Sequence, residues 1–136
     1  LSAAIMARRP EYYDRLESAQ KGNLDITDWL DWFLLVLEDA LRQGLFRFER
    51  VIRKTRFWQR HAQTPLSPRQ LKVLNRLLDA AGEEFTHGIN AAKYKALAKV
   101  SKPTATRDLT DLLEKGCLRK LPGGGRSTRY VVALDE

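Results

Sequence analysis

Apolar residues recur at helical spacing through most of this chain and change to strand-like runs only near its end. In the first half, Trp29, Phe33, Leu37, Ala40/Leu41, Gly44 and Phe48 repeat every three or four residues, the signature of an amphipathic helix. The pattern continues through Val51, Ile52 and Phe57/Trp58, and a helix of that length is expected to bend or break near Gly44. Asp25 stands where an N-cap is needed, and Asp28 falls in the first turn, where the helix dipole favours a carboxylate. Upstream, Pro10 suits the first turn of a helix running through Tyr12, Tyr13 and Leu16, with Gly22-Asn23 ending it.

The polar stretch 60–65 marks a boundary, and Ser67-Pro68 then supplies a capping serine and a proline at the first helical position. Leu71, Leu74, Leu77/Leu78 and Ala81 form one apolar face, and Gly82 is expected to stop that helix. After a turn through Glu84, Phe85 and Thr86, Asn90 caps a second helix with Ala91, Tyr94 and Leu97 inward. Val100 and Ser101 form the turn into a third, with Ser101 as N-cap and Ala105, Leu109, Leu112 and Leu113 facing the core. Residues 118–121 and 129–134 are strand-like, and Gly123-Gly124-Gly125 permits a tight turn between them. Three helices followed by a basic hairpin are the order of a winged helix-turn-helix. The expected fold is therefore mainly α: a helical segment over 1–62, then a winged helix-turn-helix domain over 63–136.

Length and composition agree with one domain or two small modules: 136 residues, 43% of them hydrophobic. No apolar run approaches the roughly 18 residues needed to span a bilayer, so no membrane partner is expected. The single cysteine, Cys117, cannot form an internal disulfide, which suits a cytoplasmic setting and a packing role beside Gly116. The chain starts at Leu1 rather than methionine and is read as a piece of a longer protein. The aromatic residues of the first half are read as core, some of them facing a layer outside this chain or a second copy.

The net charge of +7 is unevenly distributed. Residues 1–60 carry 11 Lys/Arg against 9 Asp/Glu, residues 61–136 carry 13 against 8, and residues 93–129 alone carry 10 against 3. A basic excess on a helix-turn-helix and wing is the footprint of a polyanion partner; its bland counterpart is a solvated surface. On the third helix, Lys102, Thr104, Thr106, Arg107 and Thr110 lie opposite the apolar face. Lysine and arginine reach phosphates or guanine edges, and threonine can donate to phosphate or touch a thymine methyl. Asp111 and Glu114 are expected to repel phosphate and confine contact to the first two turns, unless Arg107 pairs with an acidic neighbour instead. Lys120, Arg126 and Arg129 flank the hairpin tip, placed for a backbone or minor groove.

Duplex DNA is thus the expected partner, with a protein-docking or dimerisation module as the alternative. No metal ligand set is formed around His61 and His87, and no serine or cysteine has a histidine base in the sequence pattern. The glycines at 123–125 precede no helix and no Lys-Ser/Thr, so they are not a phosphate cradle. Catalysis is not expected of this chain alone.

Four blocks together resemble the carboxy-terminal part of Fic-family proteins, adenylyltransferases that move AMP from ATP to protein hydroxyls. They are LSAAIMARRPEYYDRLESAQ, with Arg9, Tyr12-Tyr13 and Leu16; ITDWLDWFLLVLEDAL; LSPRQLKVLNRLL, with Arg69-Gln70; and SKPTATRDLTDLLEKGCLRKLPGGGRSTRYVV. In the last, Thr104-Ala105, Arg107-Asp108-Leu109, Gly116 and Gly125-Arg126 match the family's winged-helix pattern. The resemblance covers nearly the whole chain. It implies that residues 1–62 are the end of a Fic domain and that ATP and magnesium belong to a part upstream of Leu1. The family's catalytic His-Pro-Phe-x-Asp/Glu-Gly-Asn-Gly-Arg motif and its inhibitory Ser/Thr-x-x-x-Glu-Gly segment occur nowhere in this sequence. The resemblance therefore implies a non-catalytic fragment, without catalytic residues or cofactor of its own, whose winged helix localises or regulates the parent enzyme or docks its targets.

Overall fold

The computed structural model describes residues 1–21, 25–80, 84–123 and 127–134. The expected helix stops at Gly22-Asn23 and Gly82, the inward Ala81, and Gly124-Gly125 of the turn lie outside the described residues. The chain is mainly helical with a small antiparallel sheet, and it divides into two compact units, Leu1–Glu49 and Arg50–Glu136. No described helix is long and apolar enough to cross a membrane.

The first unit holds α1 (Ser2–Ala7), α2 (Arg9–Lys21) and the start of α3 (Thr27–Arg60). Asp25 accepts from the Thr27 backbone N–H at 3.0 Å, satisfying one donor at the start of α3. Ala4, Trp32 and Val36 are buried, with Ile5, Tyr12, Phe33 and Ala40 packed against them. Tyr12 lies 5.8 Å from the Trp32 ring, and Trp29 stacks on Phe33 at 5.4 Å. The side of α3 that carries Trp29, Trp32 and Phe33 is therefore packed, whereas Phe46 and Phe48 further along are exposed. α3 continues through Gly44 without a break, so of the bend or break expected there the break does not occur. A glycine inside a helix lowers helix propensity by about 1 kcal/mol, which the many helix-favouring neighbours outweigh.

The second unit contains the last turns of α3, then α4 (Pro68–Asp79), α5 (Ala91–Ala98), α6 (Lys102–Glu114), β1 (Leu118–Lys120) and β2 (Tyr130–Val132). Phe57 is fully buried in its core, Trp58 donates its indole N–H to Asn75 at 3.0 Å, and Lys54 pairs with Asp79 at 2.7 Å. α4 opens with a capping box: the Ser67 hydroxyl accepts from the Gln70 N–H, and the Gln70 side chain accepts from the Ser67 N–H. Asn90 and Ser101 cap α5 and α6 by accepting from Lys93 and Thr104. Val73, Leu74, Leu78, Tyr94, Ala105, Leu109, Leu112 and Leu118 close the core.

β1 and β2 pair antiparallel, Leu118 opposite Val132 and Lys120 opposite Tyr130. Just before the Asn90 cap, Ile89 bridges to Tyr130 with reciprocal backbone bonds of 2.9 and 2.8 Å. β2 is therefore bonded along both edges. Gly88 permits that approach: its φ is +72°, and a Cβ there would lie 2.4 Å from the Tyr130 carbonyl oxygen. Three helices, the short bridge and the two strands make this unit a winged helix-turn-helix.

Candidate nucleic-acid interface

The orientation of α6 is set from beneath by one carboxylate. Asp108 is 5% exposed and accepts from Arg69 Nε at 2.5 Å and Nη2 at 3.0 Å, and from the Tyr94 hydroxyl at 2.9 Å. One group on α6 thereby ties down α4 and α5. The Arg69 guanidinium, chiefly by hydrogen bonding, holds the Asp108 carboxyl below its ordinary pKa, while burial pushes the Tyr94 phenol up. A charge-assisted fork of this kind is geometrically stricter than a single hydrogen bond.

One turn on, Asp111 accepts from Gln70 Nε2 and from Lys115 Nζ, each at 2.8 Å, and Lys115 also donates to the Pro65 carbonyl at 2.7 Å. Asp111 is thus half-buried and bonded within the domain, by the neutral Gln70 amide of α4 and by the Lys115 ammonium that follows its own helix. Glu114 remains exposed at the far end.

The outward side of α6 carries the predicted residues. Lys102, Thr106 and Thr110 recur every fourth residue along one exposed row, and Arg107 lies beside it. Neither the Arg107 nor the Lys102 side chain has a hydrogen bond or ion pair among the described residues, so the alternative pairing of Arg107 with an acidic neighbour is absent there. The threonines divide. Thr104 is half-buried, and its hydroxyl accepts from Ser101 at 2.9 Å, which makes it part of the cap. Thr106 and Thr110 donate to the Lys102 and Thr106 carbonyls at 3.1 and 3.0 Å. With the hydroxyl protons spent inside the helix, these side chains offer acceptor lone pairs and methyl groups, which suit a thymine methyl better than a phosphate.

On the wing, Lys120 is exposed and opposite Tyr130, while Arg129 is half-buried and opposite Leu121, whose N–H donates to the Arg129 carbonyl at 2.9 Å; strand alternation puts the two cations on opposite faces of the hairpin. Arg126 lies outside the described residues. Arg129 also lines a groove with Lys93, Glu84 and Ser127, which joins α5 to the wing. Lys93 was not singled out in the sequence, because only the fold brings it beside the hairpin. Lys99 was missed for a different reason. It ends α5 in the left-handed conformation, φ 54° and ψ 52°, where glycine is the usual residue. That position puts an exposed lysine in the turn between α5 and α6, three residues before Lys102.

In the buried half of the domain Cys117 has the packing role expected of it, beside a histidine. His61, distant in sequence, brings its Nδ1 to 3.6 Å from the Cys117 sulfur and 3.1 Å from the Thr64 hydroxyl. Cys117 is fully buried and burial raises its thiol pKa, the opposite of an activated thiolate; burial likewise lowers the His61 pKa. The pair belongs to the core floor under the sheet. Among the described residues, no group of His, Cys, Asp and Glu is arranged to hold a metal ion.

No protein-family model matches the chain, and no curated protein matches it in sequence.

Proposed function

We propose that the winged helix-turn-helix unit binds duplex DNA, with α6 entering the major groove and the wing following the adjacent backbone. Lys102 and Arg107 supply the positive charge on α6, Thr106 and Thr110 present methyl groups to base edges, and Lys120, Arg126 and Arg129 engage phosphates from the wing. The observation that carries this reading is the division of charge on α6. Asp108 and Asp111 are satisfied from within the domain, while Lys102 and Arg107 face outward with no partner among the described residues. A helix whose surface served only solubility would not need its anions neutralised and its cations left open.

Following the resemblance to the Fic family, the unit acts within a longer adenylyltransferase, placing or regulating it at DNA. In that reading ATP and magnesium are used upstream of Leu1, and this chain supplies the anchor. The test is fluorescence anisotropy of a random-sequence duplex titrated with the chain at low and moderate salt. Binding that weakens steeply with salt is expected, because each phosphate contact releases condensed counterions. No binding at low salt would overturn the reading and leave protein docking as the role of the unit.

A further inference from the structure

Thr106 and Thr110 spend their hydroxyl protons inside α6, on the Lys102 carbonyl at 3.1 Å and the Thr106 carbonyl at 3.0 Å. Each oxygen is thereby turned back against the helix, and the branch at Cβ leaves the methyl as the group held away from it. Both residues are exposed on the row that begins at Lys102. Neither side chain has another hydrogen bond among the described residues. An exposed threonine bonded in this way is a weaker helix former than alanine, so α6 itself gains nothing from the pair.

We propose that these two methyl groups read the 5-methyl groups of pyrimidines in the major groove, so that α6 selects thymine over uracil and responds to methylation of cytosine. The proposal rests on the duplex-binding reading above and adds the feature of the duplex that is read. Two properties of the pair favour methyl groups over its other possible contacts. A phosphate oxygen needs a donor, and both donors are taken. The thymine methyl is the one apolar feature on the base edges of the major groove and asks for neither a proton nor a charge.

Spacing sets how the two are read together. Four residues of helix separate the threonines by ~6 Å along the axis, between one and two base steps of roughly 3.4 Å each. Two methyl-bearing pyrimidines within two steps therefore meet both side chains at once. Cytosine lacks the methyl, and 5-methylcytosine restores it at the same ring position. Lys102 and Arg107 flank the pair and supply the positive charge that draws it into the groove. Burying one methyl is worth about fourfold in affinity, and two are worth roughly 15-fold.

The test starts by enriching duplexes from a random-sequence pool on the full chain. The enriched duplex is then remade with uracil for thymine, which deletes the methyl and keeps the base pair. Anisotropy should show binding weaker by roughly 15-fold on the uracil duplex. A C·G pair at a contacted thymine position should also weaken binding, and 5-methylation of that cytosine should recover about fourfold. On the protein side, Thr106→Val with Thr110→Val keeps the methyls and deletes the hydroxyls, whereas Thr106→Ser with Thr110→Ser does the reverse. The valine variant should keep the thymine-to-uracil ratio, and the serine variant should bring it near one. The uracil comparison on the wild-type chain stands whether or not either variant folds. Equal affinity for thymine and uracil duplexes overturns the proposal and leaves duplex binding intact. A ratio that persists in the serine variant overturns it as well, since the preference would then come from the duplex itself. No binding to any duplex would overturn the duplex-binding reading, and this proposal with it.

Discussion

In Arg50–Glu136, apolar side chains from α3, α4, α5, α6 and β1 meet in one core, and Phe57, Leu74, Tyr94 and Leu112 have no exposed surface. In Leu1–Glu49, only Ala4, Trp32 and Val36 are buried among the described residues, while leucines on the other side of the same helix stay open. Both regions are helical, and both carry the three-four apolar repeat. They differ in how many layers surround each helix. α6 rests on α4 and α5 and needs to expose only its polar face. The first half of α3 has one packed face and a second apolar face without a layer on it. The amphipathic pattern alone does not distinguish these cases, because it shows which residues want burial and not whether anything is there to bury them.

The most forceful way to break this comparison is to truncate leucines on both sides of it. Leu74→Ala should destabilise the chain by about 3 kcal/mol through lost burial and a residual cavity. Leu34→Ala should cost the monomer no more than about 0.5 kcal/mol, as a surface substitution does. Denaturant melts at low protein concentration compare the two directly; equal losses would mean that Leu34 is covered within the single chain.

Next in size is the tie beneath the candidate DNA helix. Asp108→Ala should cost about 2 kcal/mol, since it leaves the buried Tyr94 hydroxyl without its acceptor, while Arg69 can turn to solvent. Because the folded carboxyl has a lowered pKa, its contribution is complete above the unfolded value near 3.9 and is lost as pH falls through the folded value. Melting temperature should therefore decline below about pH 4 in the wild type and less steeply in Asp108→Asn. Identical acid profiles would show that the Arg69 fork contributes nothing to the difference between the two regions.

The smallest effect has the opposite sign. Lys99→Gly should stabilise the second unit by about 1 kcal/mol, because glycine enters the left-handed region without the Cβ penalty. If the same variant binds DNA more weakly, the lysine is retained at that strained turn for its charge. A melting temperature that does not rise would refute the backbone argument.

Much of the second unit was legible in its sequence because local signals agreed. Ser67 with Gln70, Asn90 and Ser101 each announced a helix start, and each makes its capping bond. The inward residues Leu74, Tyr94, Ala105, Leu109 and Leu112 followed from periodicity alone. What escaped was everything set by contact between distant segments. The Ile89 bridge is too short for a strand pattern, and Lys99 in a left-handed turn carries no glycine to mark it. Asp108 and Asp111 read as surface acids until Arg69, Tyr94, Gln70 and Lys115 surround them. Nor does any sequence spacing place His61 against Cys117. The charge row on α6 was visible, but the neutral setting that gives it meaning was not.

The central claim is that the open cations of α6 meet phosphate or base edges of a duplex. The most direct measurement is the salt dependence of duplex affinity for the wild-type chain and for the Lys102→Ala, Arg107→Ala double variant, by anisotropy. The account requires weaker binding in the variant, with the slope of log affinity against log salt reduced by about two units if both groups contact phosphate. A smaller change in slope with a loss of sequence preference would place Arg107 on a base edge. Unchanged affinity and slope would contradict the account.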